Sequence, residues 1–273
     1  MSKSVCCLLT VFLFVAVTSV AFAADCPYEA SREAVLDVGG ADQLRIEAGA
    51  GSLRVEGQKG LSEVRVDGTA CASSEDLLQE IQIKTDRKGD TLVVVADIPD
   101  GSGWRDSHAH LDLVIAVPTS LALDVEDGSG SANFSNVGAL QLKDGSGEID
   151  IRNAGGSVEI TDGSGEVDIA GIEGDLWITD GSGELDIRQV TGELEIDQDG
   201  SGEITIEDVG GNVAIGEDGS GGITISQVGG SVSINEDGSG SIDVSHVTGD
   251  LSVGRDGSGG IHFDDVGGRV QVP

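Results

Sequence analysis

The chain is short of aromatic residues, of basic residues and of long apolar runs, and each shortage closes off a class of protein. Aromatics make up 3% of the 273 residues. Few aromatics beside high charge is a signature of disorder, but Ile, Val and Leu recur here on a strict period, which excludes that reading. Lys and Arg number 15 against 49 Asp and Glu, a net charge of −34. That balance argues against nucleic acid and anionic membrane surfaces as partners. It favours cations, basic partners or plain solubility. After the N-terminus no segment approaches the ~20 apolar residues of a spanning helix. No nucleophile elbow, phosphate loop or His-Glu-x-x-His motif occurs.

The one apolar run lies at the start. Lys3 precedes a stretch from Val5 to Val20 broken only by Thr10, Thr18 and Ser19, and Ala21-Phe22-Ala23 offers a small-x-small cleavage site. This pattern predicts a secretory signal peptide over 1–23, with a retained membrane anchor as the alternative. Asp25 before Cys26 is not the small residue that a lipoprotein site requires. An exported protein of the periplasm, cell surface or medium follows. Cys6 and Cys7 leave with the signal, so Cys26 and Cys71 remain as an even pair in an oxidising compartment. A disulfide is expected, stabilising the fold by about 4 kcal/mol in the chain-entropy model; two buried free thiols are the alternative.

What the chain has in abundance is a repeat. Asp-Gly-Ser-Gly starts at Asp127, Asp144, Asp162, Asp180, Asp199, Asp218, Asp237 and Asp256, at steps of 17, 18, 18 and then 19 residues. Between the marks lie two short alternating segments, as in Ile149-Asp150-Ile151, Ala154, Gly156 and Val158-Glu159-Ile160. Each copy thus offers two strands of period two, with an apolar residue between them and a glycine-rich turn on either side. The Gly before the second strand, replaced by Ala139 in the first copy, implies positive φ or close backbone approach. A single copy buries too little to offset its ordering entropy, so copies must stack. A parallel coil places identical turn residues over one another; a meander of hairpins gives no reason for the identity. The expected fold is all-β, a parallel β-solenoid of 18–19-residue coils over 127–273, eight coils and about 38 Å long at about 4.8 Å per coil.

Residues 24–126 show strands without a clear period: 44–46, 52–55, 64–66, 91–95, 111–117 and 121–125, with a helical turn or two expected at 74–82 and a loop at Gly101-Ser102-Gly103. They read as irregular β structure capping the rod. A strand ending in Val117-Pro118-Thr119, followed by copies of Gly-Ser-Gly-x-Ile-x-Ile-x-x-Val-x-Gly-x-Leu-x-Ile, resembles the bacterial adhesin-like β-strand repeat family and the related auto-transporter adhesin head domains. The resemblance implies a bacterial cell-envelope protein without catalysis.

Several residues are candidates for function. The repeated Asp144, Asp162, Asp180, Asp199, Asp218 and Asp237 would stack at one edge, either capping their own turn amides or bridged by calcium. The calcium-binding Gly-Gly-x-Gly-x-Asp spacing is not matched, and no other cofactor is expected. Glu148, Glu166, Glu184 and Glu203 form a second acidic row and Asp150, Asp168 and Asp186 a third, together an acidic binding face for an envelope protein or glycan. His108 and His110, with Asp106 and Asp112, form either a zinc or copper site or a solvated polar face. Trp177 stands on an outward row, placed to stack on a sugar or partner or merely exposed. The copies differ by two residues in length, too little for the loops that wall a polysaccharide-cleaving groove, so a glycan-active enzyme is the remote alternative. The final coil, ending at Pro273, is a candidate for self-association.

Overall fold

The computed structural model describes residues 26–99 and 108–273; the expected signal peptide, the expected loop at 101–103 and Asp106 lie outside the described residues. The N-terminal part supplies β1 (Tyr28–Asp37), β2 (Gln43–Ala50), β3 (Leu53–Gln58), β4 (Glu63–Ala72), helix α1 (Glu75–Glu80), β5 (Gln82–Lys88), β6 (Thr91–Asp97) and β7 (Ala109–Pro118). The repeats supply β8 (Ala122–Ser129), β9 (Ala132–Ser135), β10 (Leu140–Asp144), β11 (Ile149–Ala154), β12 (Val158–Asp162), β13 (Val167–Ile172), β14 (Leu176–Asp180) and β15 (Leu185–Val190). They continue with β16 (Leu194–Asp199), β17 (Ile204–Val209), β18 (Val213–Asp218), β19 (Ile223–Val228), β20 (Val232–Asp237), β21 (Ile242–Val247), β22 (Leu251–Asp256), β23 (Ile261–Val266) and β24 (Val270–Gln271).

These strands form two twelve-stranded sheets. Sheet A runs β1-β4-β7-β3-β9 and then through the odd strands to β23; sheet B runs β5-β6-β2-β8 and then through the even strands to β24. The chain is therefore a parallel β-solenoid in which each coil gives one strand to each sheet. Register is strict. Ile149, Val167, Leu185, Ile204, Ile223 and Ile242 lie over one another in sheet A. Val158, Leu176, Leu194, Val213, Val232 and Leu251 do so in sheet B. Their side chains fill the space between the sheets as one continuous apolar core. Alternation explains the burial: in β12 the inward residues are Val158, Ile160 and Asp162, the outward ones Glu159 and Thr161.

Two local devices keep the coils superposed. The first is the glycine corner. A Cβ on Gly202, whose φ is +151°, would fall 1.4 Å from the carbonyl oxygen of Gly183 in the adjacent coil. Backbone lies directly on backbone here, so the corner is glycine by contact as well as by conformation. The second absorbs the change of step from 18 to 19. The register of β14 and β16 shifts between Ile178 and Thr179, so that Asp197 and Gln198 both face outward and Asp199 still points in.

In the N-terminal part, the expected strands fall in β2, β3, β4, β6, β7 and β8, and the expected helical turn is α1. β2 and β3 make a coil that stacks on β8 and β9. β6 and β7 make another, stacked in parallel on β2 and β3. Beyond it direction reverses: β4 is antiparallel to β7, β1 to β4 and β5 to β6. Ser74 caps α1, its Oγ accepting from the Leu77 amide at 3.3 Å, and Leu78 is buried against the strands. Arg32 donates to the carbonyls of Leu78 and Ile81, both at 2.8 Å, and pins the helix end to β1. Cys26, two residues before β1, and Cys71 in β4 form the expected disulfide. Among the described residues no helix is long and apolar enough to cross a membrane.

Candidate functional site

The repeated Asp residues do not lie on the outer edge of the turn. Each is the last inward residue of its sheet-B strand, at the corner between the sheets. Asp127, Asp144, Asp162, Asp180, Asp199, Asp218 and Asp237 are 1–7% exposed. They pair in register along the rod, Asp127 with Asp144, Asp144 with Asp162 and Asp162 with Asp180. The series continues from Asp199 to Asp218, Asp237 and Asp256. Parallel spacing sets successive members about 4.8 Å apart.

Turn capping occurs at one end of this column, where the Gly128 amide donates to Asp127 Oδ1 at 2.9 Å. Further along, the corresponding amides are engaged by the ladder. Gly163 donates to the carbonyl of Asp144 at 3.2 Å, Gly219 to that of Asp199 at 3.0 Å and Gly238 to that of Asp218 at 2.9 Å. Both carboxyl oxygens of Asp144, Asp162, Asp180, Asp199, Asp218 and Asp237 are consequently buried with no hydrogen-bond donor among the amides and side chains. The turn amides remain close enough to temper the charge without reaching hydrogen-bond geometry. Burial pushes Asp127, Asp144 and Asp199 up to about 6 and Asp162 and Asp218 up to about 7. Asp237 is raised by the same cause. Neighbouring Asp charges push Asp144, Asp162, Asp199 and Asp218 the same way.

The two other acidic rows reach the surface and differ from each other. Glu148, Glu166, Glu184 and Glu203 follow the glycine corner and are exposed. The ladder holds them in line: Ile149, Val167 and Leu185 amides donate to the carbonyls of Glu166, Glu184 and Glu203. Asp150, Asp168 and Asp186 stack along the outer face of sheet A, but arginines are interleaved with them. Arg152 reaches Asp150 at 3.1 Å and Asp168 at 2.5 Å, and Arg188 pairs with Asp186. The Arg152 hydrogen bond holds the Asp168 carboxyl below the usual carboxylate range. This row is a network of ion pairs, so of the two rows the glutamates carry the freer negative charge.

His110 lies near the start of β7, and His108 directly precedes the strand. Asp112 accepts from the Ser52 amide at 2.7 Å and the Ser52 hydroxyl at 2.8 Å, while His110 Nε2 stands 3.8 Å from its other oxygen. Among the described residues no group of three His, Cys, Asp or Glu side chains is arranged to hold a metal ion. Trp177 is 41% exposed, with Glu159 and Glu195 beside it in register. A further feature escapes the sequence reading, a groove of about 670 Å³ along the second corner of the coils, lined by Asn136, Asn153, Gln189, Thr191, Glu173 and Lys59.

No family model matches the chain, and no curated protein matches it. Among solved structures it is similar to a candidate adhesin from Bacteroides fragilis, at 13% identity over 90% of this chain and 97% of that one, with a TM-score of 0.40. It is also similar to a candidate cell adhesion protein from Clostridium sporogenes, at 14% identity over 87% and 100%, TM-score 0.35. A candidate lipid-binding protein from Parabacteroides distasonis matches at 16% identity over 89% and 96%, TM-score 0.47. The first two names are of the same kind as the adhesin-like repeats that the sequence resembles; the third is not. At such identities and TM-scores the likeness carries no argument about function.

Proposed function

We propose that this protein is an exported, non-catalytic module of the bacterial cell envelope that displays a stiff acidic row to a basic partner, an envelope protein or a glycan bearing cationic groups. One observation carries the reading: Glu148, Glu166, Glu184 and Glu203 stand in an exposed line whose spacing is set by backbone ladder bonds. Charges fixed to a rigid sheet need no ordering when a partner binds, which favours affinity and register together. The neighbouring Asp row is already paired with Arg152 and Arg188, so it leaves the glutamate row as the free anionic feature of this corner. The disulfide accords with an oxidising compartment.

The test is capture from envelope extract by the wild type and by the Glu148→Gln, Glu166→Gln, Glu184→Gln, Glu203→Gln variant, at low and high salt. A partner retained by the wild type, lost from the variant and weakened by salt supports the reading. Equal capture by both proteins counts against it. Release of reducing ends from envelope glycans would replace it with the enzymatic alternative.

A further inference from the structure

The buried Asp column lies apart from this exposed row and calls for an explanation of its own. Carboxylates some 4.8 Å apart, shielded from solvent, repel strongly if all are charged. Apart from Asp127 Oδ1, which accepts from the Gly128 amide, the carboxyl oxygens from Asp127 to Asp237 lack donors because the ladder engages the turn amides. The charged side chains nearest along the chain are no remedy. Glu126, Lys143, Glu217, Glu236 and Arg255, each one residue before a column Asp, face outward, as do Glu148, Glu166, Glu184 and Glu203 beyond the turn. Glu126 is paired with Arg45, and Arg255 with Glu236. The inward residues of sheet A beside the corner, Ile149, Val167, Leu185, Ile204, Ile223 and Ile242, are apolar. Each column carboxyl is thus faced, among titratable groups, by the Asp of the adjacent coils, on both sides except at Asp127, whose other neighbour is Gly49. A hard cation is poorly served as well. It requires six or more oxygens, whereas the carbonyls of Asp144, Asp162, Asp199 and Asp218 already accept ladder bonds.

We propose that the column from Asp127 to Asp237 is a proton-binding site: neighbouring carboxyls share protons, the acid O–H of one coil donating to a carboxyl oxygen of the next along the rod. A carboxyl is the one polar group present that becomes a donor by taking up a proton, and the stacking presents it to an acceptor at every step. The rod takes these protons from solvent on folding and returns them on unfolding; no other reactant is involved. The sign follows. A carboxyl held above its unfolded value stabilises the fold most at acid pH, and that stabilisation is lost as pH rises through about 6 to 7. This rod is therefore most stable in mildly acidic medium and loosens along its Asp corner in alkaline medium.

The experiment is thermal melting of the full chain from pH 5 to pH 9, in high salt to screen the surface. Three proteins are compared: wild type, the exposed-row glutamine variant described above, and Asp162→Asn, Asp180→Asn, Asp199→Asn, Asp218→Asn. Wild type and glutamine variant are expected to lose roughly 10 °C in Tm between pH 5 and 8, with the asparagine variant flatter and the more stable of the three at pH 8. Infrared spectra of the wild type at pH 6 in D2O should show a protonated-carboxyl band that the single Asp162→Asn variant weakens, which keeps the test open if the quadruple variant fails to fold. A flat wild-type profile or the absence of that band overturns the proposal. So does a wild-type Tm at pH 8 that rises with calcium and falls with chelator, since the column would then hold metal.

Discussion

The repeat coils and the N-terminal region share one pair of sheets but are held in them differently. In the repeats, glycine corner rests on glycine corner and apolar residue on apolar residue, so geometry tolerates little variation from coil to coil. In the N-terminal region the two coils are built out of chain order. β6 and β7 stack outside β2 and β3, and antiparallel β1, β4 and β5 close the end with a helix and a disulfide. Antiparallel strands bring different residues together and pair edges that a parallel coil leaves open. Periodicity is thus a demand of parallel superposition, and it fades where the chain reverses.

The sharpest way to break that contrast is a methyl group at a glycine in each region. Gly202→Ala places Cβ against the Gly183 carbonyl with no flexible group to yield. A loss above about 4 kcal/mol is expected in urea unfolding, because two coils must part. Gly60→Ala, in the N-terminal region at φ +78° with nothing within 4 Å of the added carbon, should cost only about 1 kcal/mol, from conformation alone. Similar losses at the two sites would refute the claim that stacked backbone dictates the corners. Next in size is the disulfide. Cys26→Ser with Cys71→Ser opens a link of 45 residues in sequence and should cost about 4 kcal/mol at most. Hydrogen exchange should show β1 and β4 amides losing protection while those of β15 to β20 keep theirs. Uniform loss along the rod would mean that the cap and the repeats unfold as one unit.

The coil period, the in-register stacking and the Cys26–Cys71 pair were legible because each repeats or leaves a single option in the chain. The burial of the Asp column was half legible. In Val158-Glu159-Ile160-Thr161-Asp162 strict alternation already sets Asp162 on the face of Val158 and Ile160. What hid it was chemistry, since Asp before Gly is expected to cap a turn at the surface, and the ladder's claim on the turn amide appears only once coils are stacked. In the longer copies, Leu194-Glu195-Ile196-Asp197-Gln198-Asp199 breaks alternation, and a bulge is needed to return Asp199 to the interior. The pairing of Asp168 with Arg152 was hidden similarly, because the two are neighbours only across coils. The order of the N-terminal coils had no trace in the sequence, because a non-sequential strand order follows from long-range pairing.

A smaller effect is expected from that ion-pair row. Arg152 is bound to Asp168 with both side chains partly exposed, 38% and 27%, so Arg152→Ala should cost no more than about 1 kcal/mol and less in salt. Asp168 is held below its ordinary range, hence its contribution is present above the unfolded value and disappears as pH falls through the lowered one. This dependence runs opposite to that of the buried column. Titration of Asp168 by NMR should show its midpoint rising towards the ordinary range in Arg152→Ala; an unchanged midpoint would mean that the pair does not persist in solution.

The smallest expected effect concerns the second corner of the repeats. Asn136, Asn153, Gln189, Asp208, Gln227, His246 and Asp265 all have φ between +51° and +62°, and Gly171 stands at the same step with φ +82°. A left-handed residue in each coil redirects the chain so that Ala154, Val190 and their equivalents point inward. Asn adopts this conformation more readily than Gln because its shorter side chain bonds the local backbone. Gln189→Asn should therefore stabilise the rod by a few tenths of a kcal/mol, up to about 1 kcal/mol. The same exchange at Gln58, in an ordinary strand of the N-terminal region, should be neutral or slightly destabilising, since Asn is a poor strand former. If Gln189→Asn lowers the unfolding midpoint as much as Gln58→Asn does, the left-handed corner is not a strained element of the coil, and residue choice there answers to the groove that Gln189 lines.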